Sequence, residues 1–185
     1  MTDFKLEYPD GVVLALDQMS VYLRCSLCHV WSPIGQTPII RSSPQRDSLK
    51  FYGALNVETG DQIALSLPKM NGENTLHFLH HILTCIPHVP ILLLWDRATW
   101  HKGMARQFVE DHERLHMLYF PPACPDLNPQ EHVWKQARDK VGHLRDYAHL
   151  SDLRYAFQTF LEQTQFCFRW LEKYFPIPSY TSVFT

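Results

Sequence analysis

Val89-Pro-Ile-Leu-Leu-Leu-Trp95 is the longest apolar stretch of the chain, and Asp96 follows it directly. Residues 91–95 leave no polar face, the pattern of a central strand covered by helices on both sides. The flanks read as helix and strand in alternation. Upstream, Leu76, Leu79, Leu83 and Ile86 recur every three to four residues, a helix that Asn74 or Thr75 can cap and that Pro87 and Pro90 end. Downstream, residues 101–114 are polar apart from Met104, Phe108 and Val109, which predicts a surface helix. Leu115–Phe120 predicts another strand, and residues 121–129 carry four prolines in a rigid loop. A helix to about Val141 places Val133, Trp134, Ala137 and Val141 on one face. Ser151 can cap a last helix carrying Leu153, Phe157, Phe160 and Leu161.

The first third lacks helical periodicity. Val12–Leu16 is a short buried strand ending at Asp17, and residues 21–31 alternate loosely as a second strand. Trp31–Pro38 is a turn-rich connection. Ser48–Val57, the turn Glu58-Thr-Gly-Asp61 and Gln62–Leu67 complete an antiparallel meander. The whole predicts one α/β layer with a mixed sheet, antiparallel strands in front and parallel strands behind, flanked by helices. That domain is expected over residues 1–175, with an irregular tail at 176–185.

Composition bounds the function. The chain has 185 residues, 45% hydrophobic and 19% charged, which excludes disorder, collagen and coiled coil. No apolar run is long enough to span a bilayer, and residues 1–20 show no signal peptide, so a cytoplasmic protein is expected. Seventeen Lys and Arg against nineteen Asp and Glu give a net charge of -2, not the footprint of a strongly basic nucleic-acid binder.

Five cysteines are an odd number, and reduced thiols are the default. Cys25-Ser-Leu-Cys28-His29 matches the C-x-x-C-H pattern of covalent haem attachment, yet it sits in a stretch that reads as a β-hairpin. A zinc site needs a second pair at short spacing, whereas Cys85, Cys124 and Cys167 stand singly. The plainer reading is of small hydrophobes on strands.

Three carboxylates stand out. Asp17 and Asp96 each follow an apolar strand, and in open α/β sheets sites collect beyond the carboxyl ends of strands. Glu131 opens the helix after the proline-rich loop. The thirty-four residues between it and Asp96 (97–130) suffice to bring it back over the first two. Three carboxylates in one pocket repel one another unless cations neutralise them. Two Mg²⁺ ions about 3.5–4 Å apart would do so and would clamp both oxygens of a phosphodiester under attack. Each residue also has an ordinary reading. Asp17 can begin a turn, and Asp96 before Arg97 can form a salt bridge. Asn128, Pro129 and Glu131 fit the N-cap, first and third positions of a capping box. Spacing alone leaves both readings open.

The stretch Tyr119-Phe-Pro-Pro-Ala-Cys-Pro-Asp-Leu-Asn-Pro-Gln-Glu-His-Val-Trp134 resembles the signature of DDE-superfamily transposases, in particular the mariner-related bacterial insertion-sequence group. Leu94–Lys102, Leu14–Gln18, Trp31–Pro38 and Phe51–Gly60 resemble further segments of that family, so the likeness covers most of the chain. It implies an RNase H-like fold with a mixed five-stranded sheet, and metal-dependent DNA cleavage and strand transfer. By motif, Asp17, Asp96 and Glu131 would be the triad holding Mg²⁺ or Mn²⁺, as two ions. His101 and Lys102 would be phosphate or outer contacts of the site. Asn128, with Asp126, would shape the loop presenting Glu131. The chain departs from many relatives at Gln18, where they have Glu, and at Arg97, where they have Asn.

The resemblance further implies transposon ends and target DNA as partners, a dimer when active, no membrane, and a nucleoid-associated location in a bacterium. A helix-turn-helix half that binds transposon ends is expected upstream, because the first catalytic strand begins by residue 12. Two other classes stand beside this reading: an inactive or repurposed transposase-derived binding module, and a haem or zinc protein built on Cys25, Cys28 and His29. The intact trio argues against the first. A Soret band or bound zinc would mark the second.

Overall fold

The computed structural model describes residues 2–23, 31–36, 39, 47–96, 103–122, 124–143, 145 and 147–169. Five strands form one sheet: β1 (Val12–Tyr22), β2 (Ser48–Asn56), β3 (Gln62–Leu67), β4 (Ile91–Trp95) and β5 (Leu115–Tyr119), in the order β3-β2-β1-β4-β5. β1 pairs antiparallel with β2, which pairs antiparallel with β3; β4 is parallel to β1 and β5 parallel to β4. The sheet is thus antiparallel on one side of β1 and parallel on the other, as the alternation of elements predicts. The helices are α1 (Thr2–Glu7), α2 (Gly72–Cys85), α3 (Met104–Glu110), α4 (Pro129–Ala137) and α5 (Leu150–Gln163), with a single π turn over Arg138–Gly142 after α4.

Helices cover both faces. Leu14 and Leu16 of β1 pack with Ile91, Leu93 and Trp95 of β4 under Phe78, Leu79 and Ile82 of α2 and Ala105 and Val109 of α3. On the opposite face, Met19 and Val21 join Phe51 and Leu55 under Val133, Trp134 and Ala137 of α4 and Leu153, Phe157 and Leu161 of α5. Phe4 of α1 closes the remaining corner against Val13, Ala15, Leu92 and Leu94. All five residues of β4 are buried, which is why its sequence carries no polar alternation.

Several boundaries differ from expectation. β1 does not end at Asp17; it runs to Tyr22, so Val21 and Tyr22 belong to it and not to a second strand. Pairing explains this. β4 accompanies β1 only over Val12–Ala15, whereas β2 stays with it through Tyr22. Polar residues are therefore tolerated mid-strand where one neighbour has left. The N-cap of α2 is Asn71, whose side chain accepts from the Asn74 N–H at 2.9 Å, and not Asn74 or Thr75. α5 begins one residue before Ser151, after His149. Of the cysteines, Cys85 and Cys167 are exposed, not buried on strands. Residues 24–30, which hold the C-x-x-C-H pattern, and the tail at 176–185 lie outside the described residues. No helix among the described residues is long and apolar enough to cross a membrane.

Candidate active site

Ala15 of β1 is level with Leu94 of β4. Asp17 lies two residues beyond Ala15 on β1, and Asp96 is the residue directly after β4, so both stand where β4 ends and β1 continues. The carboxyl end of the parallel pair is therefore an open step in the sheet, with one aspartate on each side of it.

The proline-rich loop carries the third carboxylate to that step. A 3-10 turn over Pro125–Leu127 leads to Asn128, the N-cap of α4, with Pro129 in the first turn. Asn128 is almost fully buried and both ends of its amide are engaged. Its Oδ1 accepts from the Gln130 N–H at 3.1 Å, and its Nδ2 donates to the Leu16 carbonyl at 3.2 Å. The same amide thus starts α4 and ties it to the residue before Asp17. One turn on, the Trp134 indole Nε1–H donates to Asp17 Oδ2 at 3.1 Å. Glu131 sits between these two ties. The reciprocal bond of a capping box, from the Asn128 N–H to the Glu131 carboxylate, is absent among the described residues.

The electrostatics converge on Asp17. Its carboxyl is raised from its ordinary 3.8 to about 7. Burial is the largest cause, followed by the negative charge of Glu131; Asp96 raises it further. The Gln18 backbone N–H and the Trp134 indole act in the other direction by hydrogen bonding the carboxylate. Asp17, Asp96 and Glu131, which the sequence singles out, thus lie within one electrostatic neighbourhood.

All three donors offer oxygen, the ligand type of hard divalent cations, so the donor chemistry fits Mg²⁺ or Mn²⁺. Among the described residues, no three His, Cys, Asp or Glu side chains are already drawn together closely enough to hold one ion. The carboxylates feel one another's charge without forming a closed ligand set.

Asp126 is exposed on the loop, and Gln18 lies on β1 beside Asp17. Arg97, His101 and Lys102 lie outside the described residues, as do Cys25, Cys28 and His29. Sequence reading missed the tie between Trp134 and Asp17. Trp134 reads as one more core residue of α4, although a buried indole N–H needs a partner, and that need was the available signal.

The sheet order, with parallel strands beside an antiparallel meander, is the RNase H-like fold of transposase and integrase catalytic cores. The family model described as DDE superfamily endonuclease matches residues 12–154, and the chain belongs to that family. Among solved structures, the Mos1 transposase paired-end complex with left transposon end has a TM-score of 0.66 at 13% identity, covering 88% of this chain and 51% of that one. The mariner Mos1 paired end complex with Mg has a TM-score of 0.62 at 14% identity, covering 88% and 52%. The catalytic core domain of BIV integrase has a TM-score of 0.50 at 9% identity, covering 80% of each chain. At such identities the likeness is one of fold. The uncharacterized protein y4pE/y4sA of Sinorhizobium fredii is 28% identical over 90 residues, which are 48% of this chain and 64% of that protein. This chain therefore spans about half the length of the Mos1 chains and less than two thirds of y4pE/y4sA.

Proposed function

We propose that this chain is the catalytic domain of a transposase, and that Asp17, Asp96 and Glu131 are the carboxylates with which it cleaves DNA phosphodiesters and joins 3′ ends to target DNA. The observation that carries this reading is the match of residues 12–154 to the DDE superfamily endonuclease model, which takes in Asp17, Asp96 and Glu131; the charges of Glu131 and Asp96 acting on the Asp17 carboxyl support it. The Mos1 complexes with Mg and with Mn support a divalent cation, Mg²⁺ or Mn²⁺, for this chain as well, and two ions are the number proposed here.

Asp17 from β1, Asp96 from the end of β4 and Glu131 from α4 would hold the ions, each contributed by a different element. When bound, the ions supply activation of the attacking oxygen and stabilisation of the departing one. The chain's own part is to present oxygens in ionised form. Asp17 must lose its proton to ligate, so occupancy rises with pH through about 7. Asn128 fixes the start of α4 against Leu16, and thereby holds Glu131 beside β1. By the same reading His101 and Lys102 contact phosphate. The partners are transposon-end and target DNA, a helix-turn-helix half and a second catalytic copy.

Nicking of supercoiled plasmid in Mg²⁺ or Mn²⁺ tests the proposal. The wild-type chain is expected to nick, and Asp96→Ala and Glu131→Ala to lose that activity. Equal nicking by all three would refute the assignment.

A further inference from the structure

We propose that Trp134 is a positioning residue: seated on Gly53, it aims the Asp17 carboxylate through its indole N–H and so sets the affinity of the carboxylate site for a divalent cation. This rests on the assignment of Asp17, Asp96 and Glu131 given above.

Gly53 of β2 is the direct cross-strand partner of Asp17. Residues so paired project to the same face of the sheet, and glycine projects nothing. The space beside Asp17 is left to α4. A Cβ on Gly53 would collide with Cη2 of Trp134, and would lie 2.5 Å from Gln130 Nε2 and 2.6 Å from Gln62 Nε2. Three side chains fill the place of one absent methyl. Trp134 is 1% exposed and Gln130 fully buried, so the indole has no room to swing away. Its Nε1–H is thereby fixed on Asp17 Oδ2 at 3.1 Å.

The seat is costly as packing. Among the described residues, neither end of the Gln130 amide has a hydrogen-bond partner, nor does Gln62 Oε1. Burying unpartnered amides is unfavourable, and a purely structural contact would be apolar. A phenyl ring would pack in the seat without a donor, whereas the indole packs there and also donates to the carboxylate. With Oδ2 engaged by the indole and the carboxylate also bonded by the Gln18 backbone N–H, Asp17 is held in one orientation toward a cation. Carboxylates that ligate metals are held this way by outer partners, whose loss costs about 10–100-fold in affinity.

The test is calorimetric titration of the full chain with Mn²⁺ at about pH 8, above the Asp17 transition. Trp134→Phe keeps a ring on Gly53 and removes the donor; it is expected to weaken Mn²⁺ binding about tenfold or more. Val133→Ala, a core change on the same helix, lowers stability and is expected to leave Mn²⁺ affinity unchanged. Wild-type affinity in Trp134→Phe, with binding lost in Glu131→Ala, would overturn the positioning role alone. Unchanged affinity in Glu131→Ala would overturn the carboxylate assignment and the positioning role with it. If Trp134→Phe does not fold, the wild type carries the test. The ¹⁵N-indole resonance of Trp134, identified by elimination among single Trp→Phe variants at the other four positions, is expected to move in step with Mg²⁺ binding. An indole signal that stays still while Mg²⁺ saturates the protein contradicts the proposal.

Discussion

Replacing Asp17 by Asn should stabilise the metal-free protein at high pH and do nothing at low pH. The folded state holds the Asp17 proton up to about 7, whereas an exposed aspartate gives it up near 3.8. Between those values the native state binds more protons than the unfolded state, so stability falls as pH rises. At about 1.4 kcal/mol per pH unit, the full interval is worth on the order of 4 kcal/mol. That is an upper bound, because Asp17 is only partly buried and solvent relaxes part of it. Asn carries no charge at any pH, and its Oδ1 can still accept from the Trp134 indole. Urea unfolding with EDTA should therefore show wild type and Asp17→Asn alike at about pH 4. By about pH 8 the variant should lead by up to about 4 kcal/mol. Excess Mg²⁺ should then reverse the order, stabilising the wild type by mass action and leaving the variant unmoved. A difference that stays constant from low to high pH would show that Asp17 is an ordinary surface carboxylate, and the electrostatic reasoning would fail.

Other substitutions probe the scaffold. Asn128→Ala removes the cap of α4 and the tie to the Leu16 carbonyl together, and should cost about 1–3 kcal/mol in urea unfolding. Phe157→Ala opens a cavity under Phe51, whose ring lies 5.8 Å away, and should cost about 3–5 kcal/mol by the same assay while leaving Mg²⁺ stabilisation intact.

Local pattern made much of this fold legible. β3 spans Gln62–Leu67 as its alternation predicts, and β4 is as uniformly buried as its five apolar residues require. What local pattern does not carry is which neighbour a strand keeps and which it loses. Asp17 reads as a strand end because two polar residues interrupt an apolar run. It lies mid-strand because β2 continues beside it after β4 has stopped. The same limit hid the seat of Trp134. Gly53 and Trp134 are eighty-one positions apart, and only the register of β1 against β2 shows that the glycine lies opposite Asp17. Of the capping arrangement the structure keeps Asn128 as the N-cap of α4, bonded to the Gln130 N–H, while the charge of Glu131 acts on Asp17.

Iron-directed cleavage of the polypeptide locates a bound divalent ion on this chain without needing DNA. Fe²⁺ in place of Mg²⁺, with ascorbate and peroxide, cuts backbone near the metal. If Asp17, Asp96 and Glu131 hold the ion, the cuts fall close to these three residues, are suppressed by excess Mg²⁺ and are lost in Glu131→Ala. Cuts confined to other segments, such as residues 25–29, would contradict it.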